Sequence, residues 1–347
     1  MVKIKNLDFA PPPPPLPILV TGCAGFIGMA VTLRLLDEGF YVIGVDNLND
    51  YYDPQLKKNR LAHIVAHPHA DRFQFHKVDV SDRQAMADLW QKQPPTQVIH
   101  LAAQAGVRHS LVDPFLYLQS NLLGFLVVLE LCRYQKGFQH LIYASSSSVY
   151  GGNDWTEEGF AESQPTVHPL SFYAATKASN ELMAQSYAHL YGFSATGLRF
   201  FTVYGPWGRP DMAYYKFADK ITKGETLDVY NHGEMSRDFT YIDDIVDGII
   251  GALEHKISSE KGGRHVIYNL GNNRPEKLTH LIQLIETSLG KKATIRRLPL
   301  QPGDGIATCA NIDRAQRELG YTPKVSLDEG IGLFVEWYRG QKLDPHP

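Results

Sequence analysis

Leu16-Pro17-Ile18-Leu19-Val20-Thr21-Gly22-Cys23-Ala24-Gly25-Phe26-Ile27-Gly28 is the stretch that decides the fold. Leu16 to Val20 reads as a short buried strand of the parallel-sheet kind, an apolar run bounded by turn residues. It enters the three glycines directly, and from about Met29 to Glu38 the apolar residues recur at helical spacing until Gly39. Strand, glycine turn and helix in that order are what a phosphate-binding turn requires. Glycines let the backbone turn sharply and approach a diphosphate, whose charge then rests on the helix N-terminus. A second strand, Tyr41 to Val45, ends in Asp46. A carboxylate at that point accepts both hydroxyls of an adenosine ribose and repels a 2′-phosphate. No Arg stands beside it in Asn47-Leu48-Asn49, so the residues point to NAD rather than NADP. The candidate cofactor residues here are Gly22, Gly25, Phe26, Ile27, Gly28, Asp46, Asn47 and Asn49.

Outward from this unit the βα alternation continues. A helix from about Asp53 to Ala66 precedes a strand Phe73 to Val78, and Asp79 with Val80 is placed for an adenine contact. Thr96 to Ala103 reads as a strand whose end, Leu101-Ala102-Ala103-Gln104, carries small residues that let a cofactor lie against the backbone. Asp113 to Gln135 reads as one long helix whose outer apolar surface fits a second subunit in a homodimer. His140 to Ala144 delivers Ser145, Ser146, Ser147 and Ser148 to the carboxyl end of the sheet, where open parallel sheets bind ligands. A helix Phe172 to Leu190 and a strand Ala195 to Phe201 follow. Tyr204 to Asp211, rich in Pro, Gly and aromatics, is the crossing into a substrate lobe. Asp238 to Leu253 is expected as a helix and Val266 to Gly271 as a strand returning to the main sheet. Arg274 to Gly290 and Leu327 to Arg339 are lobe helices. The expected fold class is therefore α/β, a Rossmann-type doubly wound parallel sheet with a smaller C-terminal α/β lobe. Residues 1–17, with Pro11 to Pro15, form an extended tail. The NAD-binding domain takes 18–203 and 238–271, and the substrate lobe 204–237 and 272–347.

Ser171-Phe172-Tyr173-Ala174-Ala175-Thr176-Lys177 carries the chemistry. A Tyr and a Lys four apart share one helical face, so the ammonium can approach the phenol and favour its ionised form. Free tyrosine titrates near pH 10; about one in a thousand is ionised at pH 7, and lowering that by about three units requires roughly 4 kcal/mol. Lys177 and a second cationic group are expected to supply it. By itself Tyr-x-x-x-Lys is more often an exposed helical pair than a catalytic one, and the glycine turn with Asp46 is what makes it a redox and proton-transfer device.

Composition excludes several classes. The chain has 347 residues, with 44% hydrophobic and 20% charged residues, ordinary for a globular protein of one large α/β domain and a lobe. A net charge of -3 gives no field that gathers nucleic acid or an anionic membrane, and Lys291 to Arg297 reads as a solvated strand edge. Three scattered cysteines, Cys23, Cys132 and Cys309, fit reduced thiols and a cytoplasmic protein. No apolar run is expected to reach a membrane span. His63, His67, His69 and His76 are read as a His-rich helix end; Pro68 interrupts them and no Cys or carboxylate completes a ligand set, so no metal is expected.

Together the Thr21-Gly22-x-x-Gly25-Phe26-Ile27-Gly28 turn, His100-Leu101-Ala102-Ala103, the serine run and Tyr173-x-x-x-Lys177 resemble the extended short-chain dehydrogenase/reductase family. Within it, Asp46 to Asp53, Gln104 to Arg108 and Phe200 to Ala213 resemble the UDP-glucuronate 4-epimerases. The resemblance implies a tightly held NAD and a UDP-sugar substrate oxidised at C4, with Tyr173 taking the hydroxyl proton, Lys177 on the nicotinamide ribose and Ser146, with Ser147 or Ser148 as the alternative, on the reacting oxygen. It implies Asn121 and Ser145 near the cofactor, Arg237 and Asp304 on diphosphate and ribose, and Thr202 at the sugar. Arg108, Ser147, Ser148 and Arg209 complete the implied substrate set, with Arg209 or Thr202 on the C5 carboxylate. Related 4,6-dehydratases carry Asp-Glu where Ser147 and Ser148 stand, and decarboxylases a Glu at Ser148. The expected activity is that of an NAD-dependent isomerase interconverting UDP-glucuronate and UDP-galacturonate. The alternatives are a UDP-glucose/UDP-galactose 4-epimerase, which normally has Asn in place of Thr202, a UDP-glucuronate decarboxylase, or a non-catalytic NAD-binding regulator on the same fold.

Overall fold

The computed structural model describes residues 17–153, 158–255, 264–300 and 307–342. β1 (Ile18–Thr21), α1 (Phe26–Asp37), β2 (Val42–Asp46), α2 (Pro54–Val65), β3 (Phe73–Lys77), α3 (Arg83–Lys92) and β4 (Gln97–His100) form the first half. α4 (Pro114–Tyr117) runs through a π-helical turn, Leu118–Leu123, into α5 (Gly124–Tyr134). β5 (His140–Ser146), α6 (Phe172–Tyr191) and β6 (Ser194–Phe200) follow. The rest is β7 (Thr202–Tyr204), α7 (Ala213–Lys223), β8 (Thr226–Val229), β9 (Ser236–Tyr241), α8 (Ile242–Glu254), β10 (His265–Leu270), β11 (Pro275–Lys277), α9 (Leu278–Leu289), β12 (Thr294–Arg297), α10 (Asp313–Leu319) and α11 (Leu327–Lys342).

Seven strands make one parallel sheet in the order β10-β6-β5-β4-β1-β2-β3. The order reverses between β1 and β4, so the carboxyl ends of those two strands open the crevice in which a Rossmann sheet binds its ligand. Its strands are buried on both faces: Val20, Val42 and Ile142 pack with α1 and α8, while Leu19, Val98 and Leu141 pack with α3, α5 and α6. A three-stranded sheet, β11-β9-β7, and a pair, β12-β8, carry the C-terminal part.

Three expectations are corrected. Asp238 to Tyr241 is strand rather than the start of a helix, because the segment pairs with β7 in parallel and with β11 in antiparallel register; α8 begins at Ile242. The first helix begins at Phe26, three residues before Met29, because the glycine turn feeds it without a spacer. Pro114–Tyr134 is, by length and composition, apolar enough to cross a membrane, contrary to the reading of the apolar runs. In the fold its inner side packs under the sheet, with Phe125, Val128 and Leu129 buried. The remaining expected strands and helices appear with ends shifted by a few residues, and α3, α7 and α10 are additional.

Candidate active site

The glycine turn is forced by space as well as by φ. Gly22 has φ +72, and a Cβ there would lie 2.8 Å from Ala102 N; one at Gly28 would lie 2.0 Å from the Gly22 carbonyl oxygen. Asp46 closes the turn: its two carboxylate oxygens accept from Ala24 N at 3.2 Å and Leu48 N at 2.8 Å. Burial raises its pKa, opposed by the Leu48 bond and by Lys57. Each oxygen keeps a lone pair for a ribose hydroxyl. Asn47 donates to Asp79 at 2.8 Å, and Asp79 also accepts from Ser81 N and Oγ.

On the other side of the crevice, Ser171 caps α6 by accepting from Ala174 N at 3.1 Å, so the helix begins just before Tyr173 and brings Lys177 round one turn later. Lys177 is buried and donates to the Ala144 carbonyl at the end of β5 at 2.7 Å. Burial lowers its pKa to about 8, opposed by the Glu181 carboxylate. Burial also raises the Tyr173 phenol. The groups that pull it back are a hydrogen bond with Ser146 and the Arg209 guanidinium, while Asp211 pushes it up. Ser146 Oγ in turn accepts from Ser148 N at 3.2 Å and from Ser148 Oγ at 2.9 Å.

One cavity of about 640 Å³ joins these parts. Its lining includes Gly22, Gly25, Phe26, Ile27, Gly28, Asp46, Asn47, Asn49, Asp79, Val80, Leu101 to Gln104, Ser145 to Ser148, Tyr173, Lys177, Thr202, Arg209 and Arg237. The glycines, the acceptor at Asp46 and a single cavity that also reaches Tyr173 fit a dinucleotide. Two expected residues do not line it. Asn121 is buried behind the wall, accepting from Gln104 N at 2.8 Å and donating to Gln104 O at 3.0 Å and to Thr176, so it acts through the Gln104 backbone. Arg108 is exposed, its guanidinium 4.9 Å from the Tyr230 ring centroid. Ser145 reaches the cavity, but its hydroxyl donates to Glu181 at 2.5 Å. Asp304 lies outside the described residues. His63 stacks on Trp207 at 5.4 Å and His67 pairs with Asp37 at 3.0 Å.

Sequence reasoning missed a supporting layer. Glu181, one turn beyond Lys177 on the same face, forms a buried ion pair with Arg199 at 2.7 Å; the repeated four-residue spacing was the available signal. Arg209 is held by Asp211 at 3.0 and 2.5 Å, and Asp211 accepts from the Tyr51 hydroxyl at 3.3 Å. Tyr117 places the loop after β4 by donating to Ala105 O at 3.0 Å and Gly106 O at 2.6 Å.

The model of the NAD dependent epimerase/dehydratase family matches residues 18–271. The chain is 46% identical over 337 residues to UDP-glucuronate 4-epimerase 3 of Arabidopsis thaliana, covering 93% of this chain and 76% of that protein. Among solved structures it resembles the UDP-glucuronic acid 4-epimerase of Bacillus cereus in complex with UDP-glucuronic acid and NAD, with TM-score 0.84, 33% identity and coverage of 94% and 100% of the two chains. It also resembles the UDP-glucose 4-epimerase of Thermotoga maritima with UDP-glucose, with TM-score 0.80, 30% identity and coverage of 94% and 99%.

Proposed function

The chain belongs to the NAD dependent epimerase/dehydratase family, and we propose that within it the protein is the isomerase that interconverts UDP-glucuronate and UDP-galacturonate. One observation carries the reading: the glycine turn, Tyr173, Ser146, Thr202 and Arg209 line one cavity, in which hydroxyls rather than carboxylates occupy positions 147 and 148. Gly22, Gly25, Gly28 and Asp46 would hold the dinucleotide, with Lys177 at its nicotinamide ribose. Bound NAD supplies a hydride acceptor at C4 that later returns the hydride. Tyr173 takes the proton of the C4 hydroxyl and gives it back, and Ser146 keeps that oxygen in line. A phenol raised by burial is a poor base in the free chain, so Tyr173 becomes competent when cationic charge enters the cavity beside it. The 4-keto sugar turns about its diphosphate linkage and presents its other face; Arg237 is proposed for the diphosphate.

A 4-keto uronate is a β-keto acid, which loses carbon dioxide when its C5–C6 bond aligns with the ketone. Arg209 is proposed to hold the carboxylate out of that alignment. Ser147 and Ser148 offer no carboxylate that would divert the intermediate.

Incubation of the purified protein with UDP-glucuronate, with NMR identification of the sugar, is expected to give UDP-galacturonate. A pentose nucleotide, or conversion of UDP-glucose alone, overturns the assignment. Arg209→Ala is expected to weaken substrate binding and release the decarboxylated 4-keto pentose nucleotide. We further propose a cytoplasmic homodimer, in keeping with three free buried cysteines and an apolar helical face. The domain division at 204–237 and 272–347 belongs to the same reading.

A further inference from the structure

Arg60 on α2 is fully buried, at 0% exposure, and among its recorded partners none is a carboxylate. Its Nε and Nη2 donate to Trp207 O at 3.1 and 2.6 Å, and Nη2 also to Gly208 O at 3.1 Å. Nη1 donates to Ala24 O at 3.2 Å and to the Tyr52 hydroxyl at 2.6 Å. A guanidinium has five N–H donors, so this one is spent wholly on neutral acceptors. The nearby Asp46 carboxylate offsets part of the charge, but a buried cation with no direct ion pair among its hydrogen bonds is still costly, and the geometry those bonds impose falls on a turn of the site.

That geometry is the turn just before Arg209. Trp207 has φ 62 and Gly205 φ 144, conformations that L side chains rarely adopt, and a Cβ at Gly208 would lie 1.9 Å from the Tyr214 hydroxyl. Such backbone persists only where surrounding contacts over-determine it. The fork of Arg60 fixes two consecutive carbonyls of this turn. From the loop after β2, Tyr51 fixes its far end by donating to Asp211, the partner of Arg209. Tyr51 is itself fitted against Gly106, where a Cβ would come within 2.7 Å of its hydroxyl. The same Arg60 holds the carbonyl of Ala24, inside the glycine turn.

We propose that Arg60, with Tyr51 as a second arm, is a positioning residue that sets the carboxylate selectivity of the sugar site by holding the Trp207–Gly208 turn, and so the Arg209 fork, in register with the glycine turn. The inference rests on the assignment of UDP-glucuronate as substrate. Lys cannot replace Arg60, because a single ammonium does not span two carbonyls in a fixed plane.

The test is calorimetric binding of UDP-glucuronate and of UDP to the full chain carrying Tyr173→Phe, in which turnover is blocked, with and without Arg60→Lys or Tyr51→Phe. Each added substitution is expected to weaken UDP-glucuronate roughly tenfold, the scale of one charge-assisted pair set out of line, while UDP stays within about twofold. Equal weakening of both ligands makes the effect a general loss of structure and overturns the proposal, as does unchanged binding of both. Should Arg60→Lys fail to fold, by circular dichroism, Tyr51→Phe decides by the same two outcomes. If the Tyr173→Phe reference itself binds UDP-glucuronate no better than UDP, the substrate assignment fails first, and the proposal falls with it for that separate reason.

Discussion

Lys177 and Glu181 stand one helical turn apart on α6, and the second explains how the first is kept. Burial strips water from the Lys177 ammonium and lowers its pKa, and the Glu181 carboxylate opposes that shift. Glu181 also receives the Ser145 hydroxyl and the Arg199 fork, with bonds of 2.5, 2.9 and 2.7 Å, all in a buried setting. Glu181→Gln keeps the shape but leaves Arg199 without its counter-charge; removing one member of a buried pair destabilises by about 3–5 kcal/mol. A thermal scan is therefore expected to show a large loss of Tm, and an unchanged Tm would mean that the pair carries no stability. The Tyr173/Lys177 pair and the serine run 145–148 were legible because their spacing encodes a shared face and a strand end, while Ser146 was picked out of that run only by family resemblance. The sources of the electrostatics were not: Arg209 and Asp211 reach Tyr173 through tertiary folding, and no local pattern places a loop guanidinium beside a helix phenol.

At the scale of elements, α4, the π turn, α5 and α6 form a layer whose inner side is packed and whose outer side is not. Phe115 is 76% and Leu182 72% exposed, and Leu116, Leu118, Leu126 and Leu190 join them on the surface. An apolar surface shared by two adjacent helices is the kind that a second copy covers by symmetry. Phe115→Asp with Leu182→Asp is expected to convert a dimer into a monomer in sedimentation while circular dichroism stays unchanged; a wild-type chain that sediments as a monomer overturns the idea. The glycine-turn unit was readable because strand, turn and helix are each local. β9 was misread for the converse reason: Asp238 looks like a helix cap, but its carboxylate accepts from Ala310, Asn272 and Asn273 N–H groups at 2.9, 2.6 and 3.0 Å, long-range partners that hold a strand. The helix Arg83–Lys92 was missed although Asp82 caps it through Gln84 and Ala85, because its apolar positions are few and interleaved with polar ones.

Over the whole molecule, buried titratable groups set how stability responds to acid, and their signs differ. His140, buried against Thr196 at 2.8 Å, has its pKa lowered by burial from 6.5 to about 4, and His100, bonded to Thr21 at 2.8 Å, is lowered to about 3. With folded values below unfolded ones, the unfolded chain binds the protons first, so the stability these residues permit is full above pH 6.5 and is lost as pH falls toward 4. A shift of about 2.5 units corresponds to roughly 3 kcal/mol for His140. Asp238 acts oppositely: burial raises its pKa from 3.8 to about 6, so the folded chain takes up that proton first and acidification from 6 to 4 favours folding. Two histidines outweigh one aspartate, so Tm is expected to fall between pH 7 and pH 4.5, with Asp238 cutting the slope below pH 6 to roughly half of what the histidines alone would give. Asp238→Asn removes the opposing group, and although it lowers Tm at every pH by weakening the anchors of residues 272, 273 and 310, it should steepen the fall below pH 6. A Tm flat across this range, or a slope below pH 6 that the substitution leaves unchanged, would assign the acid response to surface carboxylates instead.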